Sequence, residues 1–223
     1  MELVTVRDPG SAAAEAYRTL RTNLMFSSVD RPVSALLVTS PARPDEKSVV
    51  LANLAVTFAQ GGHSTILVDS DLRRPAQHGI WSVGNERGLT TMMLEESALA
   101  DPPLVPTGVK GLQLLPSGPL PRTPADLLGG QRMGEVIGLL RARASYVLFD
   151  SPPVLAVTDA ALLGSQLDGV LLVIRAGHTR REHAARAREA LERVHVRIVG
   201  AVLDNAPRAS VASSYAAAGQ TGA

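Results

Sequence analysis

The sequence contains no cysteine among its 223 residues. This absence excludes disulfide bonds, thiolate catalysis and zinc sites built from cysteine ligands. The sequence also lacks a strong charge imbalance, because 22 basic side chains stand against 21 acidic ones, for a net charge of +1. A chain with so little net charge has no global field that would attract nucleic acid, so we expect no nucleic-acid partner.

Long apolar runs are absent as well. No run approaches the roughly 20 residues that a membrane-spanning helix needs. The first residues, MELVTVRDPGS, lack the basic and apolar regions of a signal peptide. We therefore expect a cytoplasmic protein that reaches the inner face of the cell membrane only through a partner.

Short β-branched runs alternate with longer helical patterns along most of the chain. The predicted strands are 34–40, 64–71, 112–118, 146–152, 169–177 and 196–205, and the predicted helices between them are 47–61, 125–143, 158–165 and 179–194. Apolar strands separated by helices are typical of a mostly parallel sheet with helices on both faces. The sequence therefore predicts a doubly wound α/β fold.

The predicted domain organisation is simple. We expect one domain over residues 1–205, with an additional helix at about 11–28 before the first strand. The stretch 97–110 is interpreted as an ordered loop or an excursion of the chain away from the regular alternation of strands and helices. Residues 206–223 are small and polar, which predicts a disordered C-terminal tail.

The loop after the first predicted strand lacks glycine. It reads SPARPDEKS over residues 40–48, and Lys47 and Ser48 then open a helix whose N-terminus favours an anion. The phosphate-loop pattern G-x-x-x-x-G-K-[ST] has glycines where this chain has Pro41 and Glu46. Taken alone, the segment fits a phosphate loop or an ordinary strand-to-helix turn. The candidate nucleotide-binding residues here are Ser40, Pro44, Asp45, Glu46, Lys47, Ser48 and Val49.

Acidic residues follow two other predicted strands. Asp69 and Asp71 lie in ILVDSDLRRP, and Asp150 ends the apolar strand of YVLFDSPP. A carboxylate at such a junction is costly to bury without a cation, which favours a role as a Mg²⁺ or water ligand. Ligands of open α/β sheets bind beyond the carboxyl ends of the strands, so the acidic sites and the Lys-Ser loop are expected to lie together.

In order and spacing, these segments resemble the bacterial tyrosine kinases of capsule and exopolysaccharide biosynthesis, a MinD/ParA-like branch of the P-loop NTPases. The resemblance covers about residues 4–205 and is carried by EAYRTLRTNL, ILVDSDLRRP, LLPSGPLPRTPADLL, VLFDSPP, VTDAALL and DGVLLVIRAGHTRREH. It implies phosphorylation of protein tyrosines with ATP and Mg²⁺. It also implies a membrane-bound polysaccharide co-polymerase whose cytoplasmic segment activates the kinase.

The same resemblance implies roles for individual residues. Lys47 would hold the phosphates, and Asp69 would be the base or orienting group for the tyrosine hydroxyl. The implied metal ligands are Ser48, Asp71 and Asp150, with Asp71 also counted as catalytic. These roles agree with phosphoryl transfer, which depends mainly on positioning and charge neutralisation.

The helix at about 11–28 carries a further implied role. The segment EAYRTLRTNL is similar to the E-x-x-R-x-x-R helix of the family, which functions in ring-like self-association. Glu15, Arg18 and Arg21 are therefore the predicted oligomerisation residues.

Glu46 is the main departure from the family pattern, which has glycine directly before the loop lysine. A carboxylate about 4 Å from a phosphate can cost up to about 4 kcal/mol at an effective dielectric near 20, or about a thousandfold in affinity. The penalty shrinks if Glu46 turns outward or pairs with Arg43. Weaker nucleotide binding is therefore expected.

The end of the chain departs from the pattern in two further places. Tyr215 is the only tyrosine of the tail, where the family has a cluster, so autophosphorylation is expected to be sparse. Asp204 stands where the family asparagine would face adenine. An acceptor-only carboxylate suits a guanine edge at least as well, although Asn205 can substitute.

Three interpretations stay open on the sequence. The first is an active tyrosine kinase, and the second is a pseudokinase that regulates polysaccharide assembly by nucleotide binding and self-association. The third is a partitioning ATPase of the MinD or ParA type, which carries an extra lysine where this chain has Ala42.

Overall fold

The structure, a computed structural model, describes residues 3–27, 31–43 and 46–206. Three predicted site residues, Pro44, Asp45 and Tyr215, lie outside the described residues, as does the predicted tail beyond Ala206.

The described residues form seven strands and ten helices. The strands are β1 (Ala35–Thr39), β2 (Thr65–Asp69), β3 (Val105–Pro106), β4 (Leu112–Leu115), β5 (Tyr146–Asp150), β6 (Gly169–Arg175) and β7 (Ile198–Asp204). The helices are α1 (Val4–Arg7), α2 (Ala12–Phe26), α3 (Lys47–Gln60), α4 (Gln77–Trp81), α5 (Leu89–Leu94), α6 (Ser97–Ala100), α7 (Pro124–Gly129), α8 (Gln131–Arg143), α9 (Asp159–Gly164) and α10 (Arg181–Glu192).

All seven strands belong to one sheet, in the order β3-β4-β2-β5-β1-β6-β7. Every pairing is parallel except that of β3 with β4. The chain winds from β1 towards β2 on one side and later adds β6 and β7 on the other. This strand order confirms the predicted doubly wound fold and places a change of winding direction beside β1.

Alternating side chains of the sheet enter two separate hydrophobic cores. In β1, Leu37 points to the core covered by α5, α8, α9 and α10, whereas Leu36 and Val38 point to the core covered by α3. Helix α3 lies between the sheet and α2, and nearly all of its residues are buried. Because this helix is buried on two sides, its first two residues, Lys47 and Ser48, are held at the carboxyl end of β1.

Two stretches differ from the sequence-based expectation. The predicted helix 125–143 is divided at Gly130, whose extended backbone (ψ 161°) ends α7 and precedes α8. The predicted excursion 97–110 contains α6 and the short antiparallel strand β3. Pro106 lies in this strand because an edge strand tolerates a residue without an N–H donor.

The helices are too short or too polar for the hydrocarbon core of a bilayer. Within residues 3–27, 31–43 and 46–206, no helix has the length and apolar character needed to cross a membrane.

Candidate functional site

The carboxyl ends of β2, β5 and β1, three neighbouring strands, bring the predicted site residues together. Asp69 and Asp150 are partners in the register of β2 and β5, and Asp150 is also paired with Val38 of β1. Asp69, Asp71 and Asp150 are all buried. The predicted convergence of two acidic segments with the Lys-Ser loop is therefore observed.

Lys47 lies among these carboxylates. Its Nζ is 3.4 Å from Asp71 Oδ2 and 3.6 Å from Asp150 Oδ1, and only 2% of its side chain is exposed. It is also 3.4 Å from Ser48 Oγ. A lysine buried to this extent is held by its charge partners, so Lys47 is positioned before any phosphate arrives.

Asp69 is held by the backbone of the segment that follows β2. Its Oδ2 accepts hydrogen bonds from the N–H groups of Ala76 and Gln77, at 3.0 and 2.8 Å. Burial, together with the nearby charge of Asp150, raises the pKa of Asp69 from 3.8 to about 8. A carboxyl group with this pKa can hold or release a proton near neutral pH, as a base for a hydroxyl must.

Gln77 also belongs to this site, and no motif of the sequence predicted it. Its side-chain amide donates to Asp150 Oδ2 at 2.8 Å and to the carbonyl oxygen of Ser48 at 3.0 Å. The amide thus connects the acidic end of β5 with the start of α3. A polar residue eight positions after Asp69 was the one available signal in the sequence, and it is weak.

Asp71 organises the turn after β2. Its Oδ1 accepts from the backbone N–H groups of Arg73 and Arg74, at 3.3 and 3.0 Å. The guanidinium of Arg73 in turn forms two hydrogen bonds with Asp159, at 2.8 and 2.9 Å. The acidic segment is therefore fixed both by its own backbone and by Asp159 in the first turn of α9, a residue for which the sequence supported no individual prediction.

The donor set fits a magnesium ion. Asp69 Oδ1 and Asp150 Oδ1 are buried and have no hydrogen-bond partner among the described residues. Burial also raises the pKa of Asp150, against the opposing charge of Lys47. Carboxylates in this condition favour a cation, and Mg²⁺ is commonly bound by one or two carboxylates, waters and phosphate oxygens.

The described residues supply part of the ligand shell of such an ion. No group of three or more His, Cys, Asp or Glu side chains within the described ranges is arranged to hold a metal ion. The predicted ligands Ser48, Asp71 and Asp150 would supply two carboxylates and one hydroxyl, which leaves positions for phosphate and water.

Glu46 pairs with Arg175 and not with Arg43, which was one of the two alternatives that the sequence left open. Glu46 Oε1 lies 2.7 Å from a terminal guanidinium nitrogen of Arg175, the last residue of β6, whereas Arg43 lies 3.5 Å from Asp71. Arg175 is 129 positions from Glu46 in the chain, so no local pattern could reveal the pair. The carboxylate of Glu46 is therefore paired with the guanidinium of Arg175. The carboxylate of Asp71 has two cations nearby, Lys47 and Arg43.

Asp204 ends β7, the strand on the far side of β6 from β1, and Asn205 follows it directly. Burial and the nearby charge of Glu46 raise the pKa of Asp204, with Arg175 acting in the opposite direction. Asn205 is exposed and has a left-handed backbone (φ 54°). The two residues predicted to contact the nucleobase therefore lie at the same carboxyl end of the sheet as the loop. Asn205 is exposed to solvent, whereas Asp204 is half-buried.

Three other predicted nucleotide-binding residues flank Lys47. Ser40 is buried directly after β1, and its carbonyl oxygen accepts from the N–H of Val154 at 2.9 Å. Ser48 and Val49 lie in the first turn of α3, where backbone N–H groups point beyond the helix end. This arrangement is a suitable anion site.

The predicted oligomerisation residues differ in what they contact. Glu15 and Arg18 form an ion pair at 2.6 Å on α2, and Arg18 also donates to the carbonyl oxygen of Pro9 at 2.9 Å. Arg21 instead donates to the carbonyl oxygen of Thr57 at 2.8 Å, near the C-terminal end of α3. Glu15 is exposed, whereas Arg21 is used within its own chain.

A cavity of about 500 Å³ opens at the opposite end of the sheet. It is lined by residues at the amino ends of β2 and β4, including Thr65 and Leu112, together with Lys110 and Arg143. This cavity lacks the clustered carboxylates found at the carboxyl ends of the strands. The chemistry of the chain is therefore concentrated around Lys47 and not in the cavity.

Comparison with known proteins agrees with this geometry. The chain is 40% identical over 213 residues to the tyrosine-protein kinase YwqD of Bacillus subtilis (strain 168), which covers 96% of this chain and 89% of that protein. The kinase domain of the Escherichia coli tyrosine kinase ETK superposes with a TM-score of 0.88 at 31% identity, covering 94% of this chain and 82% of that chain. The chimerical protein CapA2B2 has the same TM-score at 32% identity, over 92% and 90% of the two chains.

More distant structures share the fold alone. The septum site-determining protein MinD of Pyrococcus horikoshii, solved with Mg-ADP, matches with a TM-score of 0.64 at 20% identity, over 76% of this chain and 69% of that one. No family model matches the sequence. On the identity, the coverage and the structural similarity, the chain belongs to the family of bacterial tyrosine-protein kinases.

Proposed function

We propose that this chain is an ATP-dependent protein-tyrosine kinase that acts in capsular or exopolysaccharide synthesis. The observation that carries the proposal is the position of Lys47, at the first turn of a buried helix and within 3.6 Å of both Asp71 and Asp150. A bound nucleotide would supply the phosphoryl group, and a bound Mg²⁺ would neutralise charge on its phosphates.

The residues of the chain then have distinct tasks. Lys47 and the first-turn N–H groups of α3 bind phosphate oxygens, and Ser48, Asp71 and Asp150 are the proposed metal ligands. Asp69 accepts or orients the proton of the tyrosine hydroxyl, since its pKa of about 8 keeps it able to exchange a proton near neutral pH. The remaining candidate contacts come from Ser40, Val49, Asp204 and Asn205.

The proposed partners follow from the family. The chain is recruited to the inner face of the membrane by a membrane-bound polysaccharide co-polymerase, whose cytoplasmic segment activates it. Glu15 and Arg18 on α2 support self-association, because they form an ion pair on an exposed helix surface. Tyr215 is the proposed phosphate acceptor in the tail.

A phosphorylation assay tests the activity directly. The chain is incubated with Mg²⁺-ATP and the cytoplasmic segment of its co-polymerase, and phosphotyrosine is detected on both. We expect a signal for the native chain and none for Lys47→Ala. Lys110→Ala is the matched control, because Lys110 is the only other lysine of the sequence and is exposed at the opposite end of the sheet. Folded native protein without phosphotyrosine on either chain would refute the proposal.

Glu46 favours a second candidate function, a regulator that binds nucleotide weakly or self-associates without phosphoryl transfer. Its carboxylate directly precedes Lys47 and is 45% exposed. Calorimetric titration with Mg²⁺-ATP, for the native chain beside Glu46→Gly and Lys47→Ala, separates the two. Micromolar affinity of the native chain favours the kinase, whereas binding only by Glu46→Gly favours the regulator.

A further inference from the structure

Three charged side chains form a row beyond the carboxyl ends of β1, β6 and β7. Glu46 ends the loop after β1, and Arg175 and Asp204 are the last residues of β6 and β7. Arg175 and Asp204 are also partners in the strand register. These strands are neighbours in the sheet, and the charges of both Glu46 and Arg175 act on the carboxyl group of Asp204.

The contact of this guanidinium with Glu46 is close. A terminal nitrogen of Arg175 is 2.7 Å from Glu46 Oε1, and Arg175 is only 24% exposed. Opposite charges at this separation attract each other strongly when one of them is shielded from water. Asp204 adds a second negative charge nearby, which strengthens the need for Arg175 at this position.

The backbone at Glu46 is compatible with a side chain. Its φ of −120° and ψ of 22° lie outside the left-handed region that would call for glycine. The conflict between Glu46 and a nucleotide is therefore one of charge, since a carboxylate next to Lys47 repels phosphate oxygens. A conflict of this kind can be relieved by a cation that holds the carboxylate in place.

We propose that Arg175 is the residue that makes the glycine-free loop usable, by neutralising Glu46 and holding its carboxylate beside β6. Arg175 is thus a positioning residue that acts on the nucleotide through Glu46. The inference rests on the proposed function, because it concerns the nucleotide affinity of the same loop. It assigns a task to a residue at the end of β6, outside the loop and the two acidic segments.

A double-mutant cycle measured by calorimetric titration with Mg²⁺-ATP tests this inference. Arg175→Ala is expected to weaken binding at least about tenfold when Glu46 is present, because the carboxylate of Glu46 then stands beside Lys47 without its cation and repels the phosphates. In the Glu46→Gly background the same substitution should change the affinity by less than about twofold, since the two sites then no longer couple. Arg175→Lys should restore most of the native affinity, because it returns the positive charge.

Two controls separate this effect from a loss of folding or of surface charge. Arg193→Ala removes a guanidinium paired with Glu189 at 3.8 Å at the end of α10, and should leave the affinity unchanged. Thermal unfolding of every variant shows whether it is folded. If Arg175→Ala does not fold, Arg175→Gln takes its place in the cycle, because it keeps much of the side chain and removes the charge.

The possible results lead to different conclusions. An equal loss in both backgrounds would mean that Arg175 touches the nucleotide itself, and tighter binding by Arg175→Ala would mean that the pair blocks the site. Either result overturns the inference. Binding by Glu46→Gly but not by the native chain also overturns it, while leaving the nucleotide site in place. No binding by either protein refutes the proposed function and, with it, this inference.

Discussion

The side-chain amide of Gln77 donates a hydrogen bond of 2.8 Å to Oδ2 of Asp150, and both side chains are fully buried. The same amide nitrogen donates to the carbonyl oxygen of Ser48 at 3.0 Å. One side chain of α4 therefore sets the orientation of a proposed metal ligand and of the helix that begins at Lys47.

Substitution of Gln77 is expected to weaken binding of Mg²⁺-nucleotide. Gln77→Ala leaves a buried carboxylate with one hydrogen bond fewer, which corresponds to about tenfold in affinity. Gln77→Glu should be worse, because it places a second carboxylate beside Asp150. Calorimetric titration measures both, with Gln113→Ala, at an exposed position of β4, as the control. Native affinity in Gln77→Ala would contradict this assignment.

The ion pair of Arg73 with Asp159 is expected to contribute to stability. Asp159 is fully buried, whereas the side chain of Arg73 is 39% exposed. Arg73→Ala leaves the carboxylate of Asp159 without its cation and should lower the free energy of unfolding by about 2 kcal/mol. Urea denaturation measures this change. Arg74→Ala, a substitution of the exposed neighbour, should stay within about 0.5 kcal/mol of the native chain; equal effects would contradict the prediction.

The stability of the metal-free protein should depend on pH through Asp69. Its folded-state pKa of about 8 exceeds the ordinary value of 3.8, so the folded protein retains a proton that the unfolded chain has lost. The free energy of unfolding therefore falls as the pH rises from about 4 to about 8. A fall of about 1 kcal/mol would lower Tm by about 3 °C in a chain of this length.

Thermal unfolding across this pH range, without Mg²⁺, measures the dependence. Asp69→Asn should flatten it, because an amide does not titrate. Some dependence should persist, since burial also raises the pKa of Asp150. An unchanged pH profile in Asp69→Asn would show that another group is responsible.

Substitutions on α2 should separate self-association from folding. Arg18→Ala removes a side chain that contacts only Glu15 and Pro9 among the interactions observed, so it should lower the oligomeric state without loss of stability. Arg21→Ala removes the donor to the carbonyl of Thr57 and should also cost about 1 kcal/mol. Light scattering after size exclusion and thermal unfolding measure the two effects. Unchanged oligomers in both variants would argue against α2 as the association surface.

Two glycines provide a matched test of packing around the loops after β2 and β4. A Cβ at Gly88 would overlap the backbone of Pro116 and Gly118, whereas a Cβ at Gly79 would meet no atom within 4 Å. Gly88→Ala should therefore destabilise the protein by about 2 kcal/mol or more. Gly79→Ala, within α4, should be neutral or stabilising by about 0.5 kcal/mol. Similar unfolding temperatures for the two variants would contradict the close approach at Gly88.

The strand pattern of the sequence was sufficient to predict the doubly wound sheet, because buried parallel strands are apolar along their whole length. Lys47, Asp69, Asp71 and Asp150 could also be placed together from the sequence, because the carboxyl ends of parallel strands lie on the same side of the sheet. Helix breaks were harder to predict. The division at Gly130 follows a Gly-Gly pair, which is a local turn signal that the predicted helix 125–143 ignored. The short strand at Val105–Pro106 depends instead on pairing with β4 and leaves little signal in local sequence.

Sequence by itself thus determined the kind of site and the residues at the ends of its strands, because periodicity and local chemistry are written along the chain. Only the tertiary structure decided the partners. Gln77 reaches Asp150, Arg73 reaches Asp159 and Glu46 reaches Arg175 across 73, 86 and 129 positions. Electrostatic contacts depend on distance in space, and that distance is set only when the sheet brings separate strands together.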